Sequence, residues 1–367
     1  MDPITHAAIG AVCAQSVASP RKLYASSVLV AILGAMAPDL DIFVAMSFAN
    51  SDPLAFFKMH RNITHSIFFA PIGAWLVAGA AYVLLTLRIS FRRAYVFSLL
   101  GYISHLFADW CTGYGMNLWL PLSDVRVAGH ICHSLVPLLS LPLWYMAYRA
   151  RRFEYRHIAR FGVAFLLIYV WFSAVQRDKV IAFVRSEHPA ARNIVPEAYI
   201  PFLWRVVYID GDKIHVDSHV VMRLVRKQQS VVIPYQPLES IISQERYAQH
   251  REILSYLYKF FDDLIYVCGD KLYFVCWARS YRIAVDDKYI MLDPDKKYAR
   301  HTPSIIDVLR SFVQGCLQSD AVPGELALPV LTADPSDTNS ASASKQRPRL
   351  KKIIRTNVAG QRAALRG

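Results

Sequence analysis

Residues 67–87 run without one charged side chain, which is long enough for a helix to cross the hydrocarbon core of a bilayer, about 20 apolar residues being needed. Five further apolar segments can be marked, at residues 4–19, 25–47, 94–112, 134–148 and 158–175. The first is short and polar enough to be re-entrant. The fifth contains Pro137 and Pro142, which a membrane helix tolerates where neighbouring helices satisfy the freed backbone groups. Nearly all of the apolar runs lie before about residue 185 in a chain that is 54% hydrophobic and 13% aromatic. The expected fold is therefore mainly α: a polytopic transmembrane bundle of four to six helices over residues 1–185, followed by a smaller soluble part.

Ionisable side chains interrupt these runs in a pattern. His60-Arg61-Asn62-Ile63-Thr64-His65-Ser66 opens the 67–87 segment, Pro38-Asp39-Leu40-Asp41 lies inside the second, and His105 and Asp109 stand four apart in the fourth. Such groups are costly inside a membrane, so they are read by default as partners of one another or as a functional site. Imidazole and carboxylate are also the residue types that best ligate a borderline or hard divalent metal.

Basic residues in short loops mark the cytoplasmic side of a membrane protein. Arg21 and Lys22, then Arg88, Arg92 and Arg93, then Arg149, Arg151, Arg152, Arg156 and Arg160 fall on one face if the segments alternate. The opposite loops, residues 48–61 and 113–133, carry Lys58, Arg61 and Arg126, with Arg177, Lys179 and Arg185 following the sixth segment. This layout gathers His6, His60, His65, His105, Asp109, Asp39 and Asp41 toward the non-cytoplasmic face, where His130 and His133 also lie.

Residues four apart on a helix are about 40° apart in projection, so His105 and Asp109 can reach one ion together. Asp39 and Asp41 point to nearly opposite sides of a regular helix, so both serve one ion only if Pro38 breaks it or if two ions bind. His60 and His65, five apart, fit a loop residue followed by one in the first helical turn, with Asn62 or Thr64 available as a cap. The competing reading is structural: an intrahelical hydrogen bond for His105 with Asp109, and interfacial helix-end caps for the two aspartates.

The first 130 or so residues resemble the membrane-bound, metal-dependent hydrolase family associated with LexA regulation in bacteria. The resemblance rests on Thr5-His6, Pro38-Asp39-Leu40-Asp41, the His60 to Ser66 stretch, Gly101-Tyr102-Ile103-Ser104-His105-Leu106-Phe107-Ala108-Asp109, and Thr112-Gly113-Tyr114-Gly115 leading to Pro121-Leu122-Ser123. Pro201-Phe202-Leu203-Trp204-Arg205-Val206-Val207 resembles the entry to the family's soluble region. The resemblance implies a multi-pass protein of the bacterial inner membrane with a metal site on His6, Asp39, Asp41, His60, His65, His105 and Asp109. One departure is His133 beside Ser134, where the family pattern leads us to expect an acid.

From Trp204 the periodicity changes to alternation. Arg205 to Ile209 and Lys213 to Asp217, turned at Asp210-Gly211-Asp212, read as a hairpin. A second hairpin covers residues 264–277 and a further strand 281–285, with helical patterns at 238–261 and 305–317. These make a small antiparallel α+β domain at residues 200–318. The tail, residues 336–367, is expected to be disordered and basic. From Lys345 onward it holds eight basic residues and no acid, so the chain before Lys345 carries only about +5 of the net +13. The tail is read as solvated or lipid-attracted, and nucleic acid is not an expected partner. The six cysteines show no CxxC spacing and read as structural.

The function expected is metal-dependent hydrolysis of a lipid or lipid-linked ester or phosphoester. Zinc is the expected cofactor, with manganese or iron as alternatives, and the lipid bilayer is the expected surroundings. Seven potential ligands exceed the needs of one tetrahedral zinc, so either two ions bind or one carboxylate, Asp41, is the general base. Arg61 is expected to hold an anionic substrate group. The rival reading is a membrane metal-binding scaffold or a transporter with the same residues and no hydrolysis. Transporters characteristically show internal repeats with broken helices, and none is visible. The sequence leaves the oligomeric state open.

Overall fold

The computed structural model describes residues 1–18, 24–48, 55–84, 89–134, 136–153, 155–222, 224–244 and 251–260, with five further strands between residues 265 and 332. The expected helix at 305–317 and the basic tail lie outside the described residues. The chain begins with α1 (Pro3–Val17) and α2 (Tyr24–Met36). The second helix ends where Pro38 removes a donor and crowds the preceding turn; a 3₁₀ turn, Pro38–Leu40, then leads into α3 (Asp41–Phe48). After α4 (Ala55–Met59), a second 3₁₀ turn at Ile63–His65 precedes α5 (Ala70–Leu84). The helices α6 (Phe91–Trp110), α7 (Pro137–Phe153) and α8 (Arg156–Glu187) complete this part.

Among the described residues, one helix is long and apolar enough to cross a membrane, namely α8. The number rises to three if each of two bent pairs is one span: residues 25–36 with 38–48, bent by 47°, and residues 57–65 with 70–84, bent by 84°. Of the 67–87 run, residues 70–84 form α5 and the rest beyond Leu84 lies outside the described residues; the stretch before it is bent because Ile63–His65 folds into a 3₁₀ turn. The 158–175 segment yields the longest helix, with 32 residues.

The faces of α8 explain its setting. Ala159, Gly162, Leu166, Tyr169, Ser173, Gln176, Val180 and Val184 are buried at spacings of three or four, while Phe161, Leu167, Ile168 and Trp171 are exposed. Two polar residues face inward and large apolar ones outward, the arrangement suited to lipid contact rather than water. Past Gln176 the exposed residues turn charged, with Asp178, Lys179, Arg185 and Glu187.

The helix end carries a sheet ordered β1-β2-β3-β4-β9, formed by β1 (Arg192–Ile200), β2 (Leu203–Asp210), β3 (Lys213–Val221), β4 (Val225–Pro234) and β9 (Leu331–Thr332). The first four pair antiparallel and β9 joins β4 in parallel. Asp210 pairs with Lys213 across a two-residue turn whose Gly211 has φ +59°, a conformation glycine adopts without strain. Trp204, Val206, Tyr208 and Val221 pack with Val180 and Val184 of α8, so the sheet is seated directly on the helix. Two short helices follow, α9 (Leu238–Ile242) and α10 (Arg251–Phe260). A second, antiparallel sheet comprises β5 (Ile265–Cys268), β6 (Lys271–Cys276), β7 (Arg279–Val285) and β8 (Ile290–Asp293).

Candidate metal centre

The helix α6 can deliver its side chains to the centre because it approaches α2 closely. A Cβ on Gly101 would collide with the Ala31 carbonyl, and one on Gly34 with the Ser98 carbonyl, so glycine at both positions permits the contact. One turn after Gly101, His105 is fully buried and donates Nδ1–H to the Ala35 carbonyl at 2.7 Å. That bond fixes the tautomer and turns the Nε2 lone pair inward.

Four side chains from three stretches of chain meet there. Asp39 comes from the break after α2, His65 from the 3₁₀ turn before α5, and His105 and Asp109 from successive turns of α6. One donor atom from each lies within 4.8 Å of every other. His65 Nε2 is 3.1 Å from His105 Nε2, 3.3 Å from Asp109 Oδ2 and 3.4 Å from Asp39 Oδ1. His105 Nε2 is 3.3 Å from Asp109 Oδ2 and 3.7 Å from Asp39 Oδ1.

Those separations match a coordination polyhedron. A tetrahedron with bonds of 2.0–2.1 Å has edges of about 3.3 Å. The chemistry of the donors agrees: His105 Nε2 is an acceptor by its tautomer, and it faces another imidazole nitrogen and two carboxylate oxygens. Asp109 Oδ2 is buried and faces Arg61 Nε at 3.0 Å as well as the two imidazole nitrogens, a position in which a carboxylate oxygen is kept charged. Asp39, Asp41 and Asp109 face one guanidinium and the Met1 amino group, which contacts Asp109. The excess negative charge must be offset by a cation or a protonated imidazole. The group can hold a metal ion.

The remaining candidates lie around it in distinct places. His6 stacks on His105 with ring centroids 3.8 Å apart, and its Nε2 approaches Asp109 Oδ1 at 3.1 Å and Asp39 Oδ2 at 3.9 Å. It thus meets the carboxylates on the oxygens turned away from the cluster. Asp41 and His60 stand outside the four-membered group as a pair, Nδ1 to Oδ1, at 2.8 Å. Arg61, buried and at φ +58°, has Nε 3.0 Å from Asp109 Oδ2 and donates Nη1–H to Thr112 Oγ1 at 3.0 Å. His133 lies instead beside Glu197 of β1, at 3.5 Å.

The loops that form the wall of the centre are joined to each other. Asn117 N–H donates to the Arg61 carbonyl, Ile67 N–H to that of Leu118, and Ser66 Oγ to that of Leu120. The Tyr114 ring is packed between two guanidiniums, with Arg61 Cζ at 4.9 Å and Arg126 Cζ at 5.0 Å. Arg126 reaches the Gly115 carbonyl and Asn117 Oδ1. Sequence reasoning does not single out Arg126, Tyr114 or Thr112 as parts of the wall. The signal available for two of them is their place in or beside the Thr112-Gly113-Tyr114-Gly115 motif.

Comparison with curated proteins and with solved structures gives no match. Residues 1–180, which contain every side chain of the four-membered group, match the model of the YdjM inner membrane protein family. The similarity of this stretch to the YdjM inner membrane proteins marks the chain as a bacterial inner membrane protein, one that sits in a lipid bilayer.

Proposed function

We propose that the chain is an integral-membrane, metal-dependent hydrolase acting on a lipid or lipid-linked ester or phosphoester. The observation that carries this reading is the set of four donors, two imidazole and two carboxylate, three of them buried and Asp39 partly exposed, at the edge lengths of a tetrahedral site. Asp39, His65, His105 and Asp109 would hold the ion, with zinc the best fit to two nitrogens and two oxygens, and manganese or iron the alternatives. A divalent ion held there supplies Lewis acidity and lowers the pKa of water. His6 supports the carboxylates from behind. The His60–Asp41 pair stands ready for proton transfer, its carboxylate orienting the ring as in other His–Asp pairs. Arg61, anchored to Asp109 and Thr112, meets an anionic group on the substrate.

The hydrolase reading also draws on the family resemblance of the motifs. The excess of basic residues in the opposite loops supports a multi-pass arrangement of four to six spans with the centre toward the non-cytoplasmic face. A site within apolar segments favours a substrate that itself resides in lipid.

The test begins with elemental analysis of the full chain purified in detergent. One bound divalent ion is expected, lost in His105→Ala, together with turnover of an ester or phosphodiester panel that the variant lacks. A retained ion with no turnover on any lipidic or soluble ester would favour a metal-binding scaffold or transporter. Absence of any ion from the wild type would end the metal reading.

A further inference from the structure

Asp41 begins α3, immediately after the 3₁₀ turn that presents Asp39. Its carboxylate stands outside the four-membered group and meets the loop that carries His65. Oδ1 accepts from His60 Nδ1 at 2.8 Å. Oδ2 accepts from the Arg61 N–H at 3.0 Å and from Thr64 Oγ1 at 2.6 Å, and lies 3.3 Å from His65 Nδ1. Four successive contacts from residues 60–65 therefore converge on one carboxylate.

This convergence accounts for two otherwise unfavourable features. Arg61 adopts φ +58°, which a non-glycine residue keeps only where its surroundings over-determine it; the Asp41 bond to its N–H is one such restraint. His65 must present Nε2 rather than Nδ1 to the centre. Its Nδ1 faces the Asp41 carboxylate at 3.3 Å and Thr64 Oγ1 at 3.1 Å, and the Thr64 hydroxyl gives its own proton to Asp41; both oxygens thus accept from Nδ1, the tautomer protonated on Nδ1 is favoured, and the Nε2 lone pair points to His105, Asp39 and Asp109. On the other side of the same turn, Tyr102 Oη donates to the Thr64 carbonyl at 2.6 Å. His105 is oriented in the parallel way, but by a backbone carbonyl, which no substitution of Ala35 removes.

We propose that Asp41 is a positioning residue: it does not ligate the metal but fixes the tautomer and direction of His65 and the conformation of the Arg61 turn. The inference rests on the metal-centre reading above, and it assigns different consequences to two aspartates only two residues apart.

The experiment is a Co²⁺ titration of the full chain in detergent, followed by visible absorption and by metal stoichiometry at saturation. For Asp41→Asn the expected result is a 10- to 100-fold weaker affinity, the usual cost of losing an orienting partner. Stoichiometry at saturation should be unchanged and the tetrahedral cobalt bands kept. For Asp39→Asn the bands themselves should change or vanish. Asp41→Glu, which restores the charge one methylene further out, should recover part of the affinity. Thr64→Val, which removes one donor to the same carboxylate together with the hydroxyl oxygen beside His65 Nδ1, should weaken binding severalfold and serves where Asp41→Asn does not fold. Wild-type affinity in both Asp41→Asn and Thr64→Val would overturn the proposal. So would loss of the cobalt bands at saturation in Asp41→Asn, which would make Asp41 a ligand. A wild type that takes up no cobalt would sink the underlying metal reading, an outcome distinct from either.

Discussion

Glu197 is a carboxyl group held where its charge is costly. It lies on β1, with His133 Nε2 at 3.5 Å, Arg205 opposite it on β2 and Tyr199 two residues on. Burial pushes its pKa up to about 7, against the opposing charge of Arg205. An unfolded chain releases this proton from about pH 4.3 upward, whereas the folded chain keeps it to near 7. Stability is therefore highest below the unfolded value, falls as pH climbs through that window, and is constant above it. Glu197→Gln, neutral throughout, is expected to gain on the order of 3 kcal/mol over wild type at pH 8 and nothing at pH 4, measured by thermal unfolding in detergent at the two pH values. Legibility at this scale varies with geometry. The spacing of His105 and Asp109 is readable because helical pitch alone puts them together. The spacing of Asp39 and Asp41 leaves two answers open, and only the break at Pro38 sends one carboxylate to the four donors and the other to the His60 loop. Glu197 is silent in the sequence, since its setting is built by β2 and by a loop some sixty residues earlier.

The crossing of α2 and α6 governs where His105 and Asp109 arrive. Gly101→Val would push a branched side chain into the Ala31 carbonyl and force the helices apart. A destabilisation of about 1–3 kcal/mol is expected from overpacking, with loss of bound metal in step, since His105 sits one turn further along; differential scanning fluorimetry with elemental analysis checks both. The helices themselves are broadly readable from hydropathy, though not their continuity. An apolar run does not reveal that residues 63–65 fold into a tight turn, because that turn is set by the polar partners of Thr64 and His65. Among the strands, the β2–β3 hairpin announces itself by alternation about Gly211. β1 does not, as it contains Pro196, which suits the edge position it occupies in the sheet. β4 hides behind Arg226, Lys227, Gln228 and Gln229, polar residues that mask its pairing with β3.

At the scale of the whole molecule, the C-terminal part reaches back to the centre's outer wall. On α10, Phe260 meets Phe57 at 5.2 Å, Tyr114 at 5.6 Å and the Arg126 guanidinium at 4.7 Å, while Tyr256 Oη donates to the Phe57 carbonyl at 3.3 Å. Phe260→Ala should loosen this seat, and tryptic cleavage within α10 is expected to accelerate severalfold while the rate elsewhere stays unchanged, as read by mass spectrometry of timed digests. The division between an apolar first part and an alternating second part is plain in the sequence. Their contact is not, because it joins residues some two hundred positions apart through aromatic rings that suit many neighbours. The 32 residues of α8 span about 48 Å, well beyond the hydrocarbon thickness. Near its sheet-bearing end Arg177 holds the Gly129 carbonyl, and Gly129 N–H in turn bonds the carbonyl of Trp110, the residue after Asp109. One rod thus ties the sheet it carries, through one guanidinium and one peptide, to the neighbour of a fully buried carboxylate.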